Sequence, residues 1–293
     1  MVILLGLAAA VLYGTGDFLG GLATRRVPVL AVLLLAETAG VIVGLPAAAM
    51  WPGPARLAGL AWGISAGLIG GAGLIIFYSG LAAGPMSVVA PVSGLVSTVL
   101  PVAVALAEGE RPTATIYAGA LLCLAAIVLA SSAGDGNPAG RPGAAPQPRL
   151  PGAGRALGYG IASGASFGLF FLLIRNAGQS GELWPVAAGR IGELAVVLAA
   201  AAVLRRSLLP PSAGRRPLLL LAATAAGAID VIANICYVAA TRTGRFGLAV
   251  VLASLYPGVT VLLARAALGE RLRRVQQIGL GLAAIGVILV TAT

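Results

Sequence analysis

Residues 217–240 run PLLLLAATAAGAIDVIANICYVAA, an unbroken apolar stretch with a single charge, Asp230. A helix needs about 20 apolar residues to cross the hydrocarbon layer of a bilayer. No water is present there to satisfy backbone N–H and C=O groups. A spanning segment is therefore a helix or a strand of a closed barrel. Barrel strands alternate apolar and polar residues over about ten positions. This stretch does not alternate, so it reads as a transmembrane helix.

Working outward, nine more stretches share the pattern: 2–22, 29–50, 57–80, 86–107, 113–130, 154–175, 184–204, 246–267 and 275–292. Pro and Gly punctuate the joins, as in Trp51-Pro52-Gly53-Pro54 and Gly84-Pro85. The 293 residues are 59% hydrophobic and 10% charged, with a mean hydropathy of +1.01. Soluble domains carry about 25% charged residues, and disordered chains combine high charge with low hydrophobicity. Both classes are excluded. The expected fold class is an all-α integral membrane protein with ten transmembrane helices. The first stretch has no basic residue before it, ends in Arg25-Arg26 and is too long for a signal-peptide core. It reads as a retained helix.

The longest polar break, Ser131 to Gly154, is rich in Pro and Gly and reads as a flexible linker. It falls near the middle of the chain, and the two sides resemble each other. Gly109-Glu110-Arg111 recurs as Gly269-Glu270-Arg271. Glu37 in Ala-Glu-Thr-Ala matches Glu193 in Gly-Glu-Leu-Ala. Gly6, Ala8, Tyr13 and Gly14 match Gly160, Ala162, Phe167 and Gly168. The spacing drifts only at loops, as after a duplication. The expected organisation is a first five-helix repeat over 1–130, a linker over 131–153 and a second five-helix repeat over 154–293. An odd number of helices turns the second repeat upside down in the membrane. Inverted repeats with a site at their interface mark secondary transporters.

The net charge is +10, and all 19 basic residues are Arg. Basic residues between apolar runs orient helices rather than bind nucleic acid. Twelve fall on one side: Arg25, Arg26, Arg141, Arg149, Arg155, Arg205, Arg206, Arg215, Arg216, Arg271, Arg273 and Arg274. Five fall on the other: Arg56, Arg111, Arg175, Arg242 and Arg245. The positive-inside rule makes the first side cytoplasmic and puts both termini outside.

Ionisable residues within spans cost at least about 2.5–3.5 kcal/mol each and usually face the bundle interior or water. The candidates for substrate binding or coupling are Asp17, Glu37, Arg190, Glu193, Asp230, Asn234 and Tyr237. Arg190 and Glu193 are three apart on one helical face. They form either a structural ion pair or an anchor for a charged substrate group such as a carboxylate. Asp230, Asn234 and Tyr237 follow at i, i+4 and i+7, a polar stripe suited to a water-filled wall or to gluing helices together. A lone carboxyl at that depth is the expected proton carrier. Pro91, Pro101 and Pro257 lie inside the fourth and ninth stretches, as gating hinges or static kinks. Aromatic content is 5%, which argues against an aromatic cage for organic cations. Cys123 and Cys236 read as small hydrophobes. No metal site and no cofactor is expected.

In this order and spacing, the Gly-Glu-Arg pair, Gly84-Pro85-Met86-Ser87-Val88-Val89-Ala90-Pro91 and Ser254-Leu255-Tyr256-Pro257 resemble the drug/metabolite transporter superfamily, EamA type. The resemblance covers nearly the whole chain except the linker. It implies a central cavity lined by helices 1–4 and 6–9, with helices 5 and 10 peripheral. It implies movement, most simply outward, of small metabolites, amino acids or drugs across a bacterial cytoplasmic membrane. The expected partners are the lipid bilayer and a small-molecule substrate, without nucleic acid, in a monomer or homodimer. A channel or passive scaffold is the alternative reading. A membrane enzyme is less consistent, because the chain has no His, the usual general base and metal ligand. No Walker A sequence is present, so no ATP is expected to be consumed.

Overall fold

The computed structural model describes residues 1–83, 86–109, 153–177, 183–205, 217–243 and 246–268, with scattered positions within 113–129 and 275–289. The regular structure among them is helical. In chain order the helices are α1 Val2–Thr24, α2 Val29–Met50, α3 Leu57–Ala83, α4 Met86–Ala107, α5 Ala153–Ala177, α6 Trp184–Val203, α7 Pro217–Thr241, α8 Phe246–Ala253 and α9 Tyr256–Leu268. Among the described residues eight segments are long and apolar enough to cross a membrane. These fall in α1 to α7 and over Phe246–Ala264. The chain is an all-α membrane protein.

The expected fifth and tenth spans fall largely outside the described residues. Leu121, Ile278 and Ile285, described positions in those stretches, are exposed. Residues 130–152, Glu110-Arg111 and Glu270-Arg271 lie outside the described residues. Gly109 lies inside them, with φ +92°. Its N–H bonds to the carbonyl of Leu106 at 3.1 Å, so it terminates α4 in the left-handed conformation that glycine adopts without a Cβ clash.

The ninth stretch departs from expectation. It is not one helix over 246–267 but two, α8 and α9, separated by a turn at Ser254-Leu255. Pro257 has no N–H to offer the carbonyl of Ala253, and its ring crowds that carbonyl. Backbone before a proline also resists helical geometry. Gly258 instead bonds to Leu255 O at 2.9 Å, and Pro257 takes the first turn of α9, where no donor is needed. All eight residues of α8 are buried, as expected of a helix apolar on every side. By contrast α4 runs unbroken through Pro91 and Pro101, and α2 runs unbroken through Pro46.

The bundle core joins the two halves of the chain. α3 packs on α6 and α5, and α2 packs on α6 and α7. α1 packs on α7, α8 and α9, and α4 packs on α5, α8 and α9. These interfaces outweigh those between sequence neighbours such as α1 with α2. Small residues permit the close approach. A Cβ on Gly67 of α3 would collide with the carbonyl of Gly189 on α6, so only glycine fits that crossing.

Candidate functional site

The centre of the bundle holds one guanidinium among three carboxylates. Arg190 projects from α6 and is 2% exposed. Its Nη1 donates to Glu37 Oε2 of α2 at 3.2 Å and lies 2.8 Å from Glu193 Oε2 on its own helix. Glu193 Oε2 has no hydrogen-bond partner in the structure, so that contact is an ion pair without hydrogen-bond alignment. Nη2 lies 2.6 Å from Asp230 Oδ2 of α7. The expected Arg190–Glu193 pair is thus part of a larger cluster. Glu37 and Glu193, the two glutamates matched in the sequence, stand on the same Nη1 atom. Gly40 makes room for the arginine: a Cβ there would lie 2.8 Å from Arg190 Cδ.

Asp230 opens the cluster towards space. Its side chain is 25% exposed, whereas those of Arg190 and Glu37 are 2% exposed. Asn234, one turn on, donates from Nδ2 to Asp230 Oδ2 at 3.2 Å and accepts at Oδ1 from the Tyr13 hydroxyl of α1 at 2.6 Å. A polar chain therefore runs from Tyr13 through Asn234 and Asp230 to Arg190. Tyr237, the third member of the expected stripe, sits apart. It is fully buried, packs on Phe171 with ring centroids 4.7 Å apart, and donates to the Phe171 carbonyl at 3.4 Å.

Beside the cluster lies a cavity of about 50 Å³, measured as the space open to the centres of water molecules. Arg190, Glu193, Asp230, Asn234 and Asp17 line its polar wall. Asp17, half-buried on α1, forms no ion pair among the described residues. The rest of the lining is largely aromatic: Tyr13, Phe167, Phe170, Phe171 and Tyr256. The Tyr13 ring stacks edgewise on Phe171 at 6.0 Å and on Tyr256 at 6.2 Å. Sequence reasoning missed this wall. Its signal was Phe167, Phe170 and Phe171 at i, i+3 and i+4, half of the six phenylalanines on one face of a helix. Pro91 and Pro101 are not part of the cavity lining, and Pro257 follows Tyr256, which is.

At one end of the bundle Arg175 of α5 reaches back to α4. Its Nη1 and Nη2 donate to Glu108 Oε1 and Oε2 at 2.9 and 2.7 Å, and its guanidinium lies 3.9 Å from the Phe246 ring centroid. The Arg175 hydrogen bonds hold the Glu108 carboxyl below the ordinary glutamate range. Among the described residues no group of three or more Cys, Asp, Glu or His is arranged to hold a metal ion.

The family model described as the EamA-like transporter family matches residues 1–132 and 154–292. A solved structure described only as the crystal structure of a protein superposes with a TM-score of 0.69 at 21% identity, over 99% of this chain and 96% of that one. At that identity the likeness concerns the fold. No curated protein matches this sequence.

Proposed function

We propose, from the premise that this chain belongs to the EamA-like transporter family, that it is a proton-coupled secondary exporter. The family consists of membrane transporters of small solutes, not of enzymes. The protein is accordingly a multi-pass membrane transporter whose surroundings are the lipid bilayer and a small-molecule substrate. Our reading adds a direction, outward across a bacterial cytoplasmic membrane, and a coupling site at Arg190, Glu37, Glu193 and Asp230.

One observation carries this reading: a single guanidinium faces three carboxylates beside the cavity. Fully ionised, that cluster would hold two negative charges without a protein cation. An uncompensated buried charge costs several kcal/mol. Taking up or releasing a cation therefore changes the energy of the bundle centre, where helices from both halves meet. A transporter needs such a link between charge and packing to alternate access.

We read the whole as ten spans in two inverted repeats, 1–130 and 154–293, joined by the linker 131–153. The packing supports this. Exchange α1 with α5, α2 with α6, α3 with α7, and α4 with α8 and α9, and the main interfaces map onto one another. In the paired-repeat view, α3 on α6 corresponds to α7 on α2.

The test is flux into proteoliposomes of solutes first selected by ligand-dependent thermal shift, from amino acids, nucleobases and cationic drugs. The reading expects saturable uptake driven by an imposed gradient. Flux that never saturates favours a channel.

A further inference from the structure

The charge and walls of the cavity point to the class of solute, an inference that rests on the transporter reading. Arg190 is the one basic residue lining the cavity among the described residues, and its guanidinium is committed to Glu37, Glu193 and Asp230. No free cation remains there for a substrate carboxylate or phosphate. Acceptors, in contrast, are in excess. Asp17 enters the cavity from α1 without an ion pair among the described residues, and Asp230 is partly open to the same space.

A second observation is independent of the acidic count. The rest of the lining is largely aromatic, and aromatic faces attract cations. The chain has few aromatics, but they concentrate here: Phe167, Phe170 and Phe171 are joined by Tyr13 and Tyr256.

We propose that the cavity binds a compact organic cation, a protonated amine or a guanidinium carrying an aromatic or aliphatic body, with its charge at Asp17 and Asp230 and its body against Phe167, Phe170 and Phe171. An ammonium group has three donors. Asp17 and Asp230 supply the carboxylate oxygens that accept from them. An anion of the same shape meets the same aromatic residues but also the carboxylates of Asp17 and Asp230, so the charge decides.

The experiment compares two probes of matched shape, 2-phenylethylammonium and 3-phenylpropanoate, binding to the purified full-length protein by calorimetry and thermal shift. The ammonium probe is expected to bind saturably and at least about tenfold more tightly, as one charge-assisted hydrogen bond implies. Asp17→Asn is expected to weaken that binding by a similar factor. If the variant fails to fold, the selectivity of the unsubstituted protein decides alone. Equal binding of the two probes, tighter binding of 3-phenylpropanoate, no binding of either, or full affinity in Asp17→Asn overturns the proposal. Saturable liposome flux of another solute would then leave the transporter reading standing; absence of flux for every solute removes both.

Discussion

Arg190 and Glu37 stand 153 positions apart in the chain, yet Arg190 Nη1 donates to Glu37 Oε2 across 3.2 Å in the centre of the bundle. The bond ties α2 to α6 and so couples the two halves. Removing the guanidinium leaves the buried Glu37 and Glu193 and the part-exposed Asp230 without their cation, and breaking a buried pair costs about 3–5 kcal/mol. Arg190→Gln is therefore expected to lower the melting temperature and the yield of folded protein sharply. Arg190→Lys should recover only part of the loss, because an ammonium cannot present Nη1 and Nη2 to separate carboxylates. A melting curve for each variant checks this. An unchanged curve for Arg190→Gln would show that the cluster holds nothing together.

Gly40 tests the same cluster through space. A Cβ there would meet Arg190 Cδ at 2.8 Å, and three carboxylates pin the arginine so that it cannot retreat. Gly40→Val is expected to cost about 1–3 kcal/mol, the usual effect of overpacking. Gly258→Ala, whose Cβ would meet nothing within 4 Å, is the control and should melt as the unsubstituted protein does. Thermal melts of the two variants compare them directly.

Glu108 and Arg175 predict a pH dependence at the bundle end. The folded value of Glu108 lies below its ordinary one, because Arg175 donates two hydrogen bonds to it. Its contribution is present above the unfolded value, near 4.3. It is lost as pH falls through the lower folded value. Glu108→Gln should thus melt below the unsubstituted protein at pH 7, and the gap should close under acid conditions. Both side chains are partly exposed, so the gap is small. Melts across pH 7 to pH 3 check the sign.

The Arg distribution predicts orientation. With native Cys123 and Cys236 replaced, a cysteine at Ala144 in the linker should resist an impermeant thiol reagent in intact cells, and one at Val2 should react. The reverse labelling would invert the topology and leave the packing untouched.

The sequence made the spans legible because hydrophobic runs are local. Residues 217–240 announce a helix without reference to any neighbour, and α7 covers them. Arg190 with Glu193 was legible from helical spacing, whereas the match of Glu37 to Glu193 did not reveal that Glu37 pairs with Arg190. Asp230 joining them was not, because it depends on how closely α7 approaches α2. That closeness is set by small residues such as Gly227, where a Cβ would collide with Ala36. Tyr237 shares a helical face with Asp230 and Asn234, but Phe171 covers that face at its level, and spacing carries no information about depth. The ninth stretch read as one apolar run with Pro257 as a hinge or kink, and the structure breaks the helix just before that proline.

The central claim is that Asp230 couples solute movement to protons, and substrate uptake into proteoliposomes with and without an imposed pH gradient tests it most directly. The measurement is made with unsubstituted protein and with Asp230→Asn, and protein-free liposomes subtract any passive response. The account predicts that the gradient stimulates uptake by the unsubstituted protein. Asp230→Asn should keep solute exchange but lose that stimulation. Equal stimulation in both proteins, or none in the unsubstituted one, would contradict it.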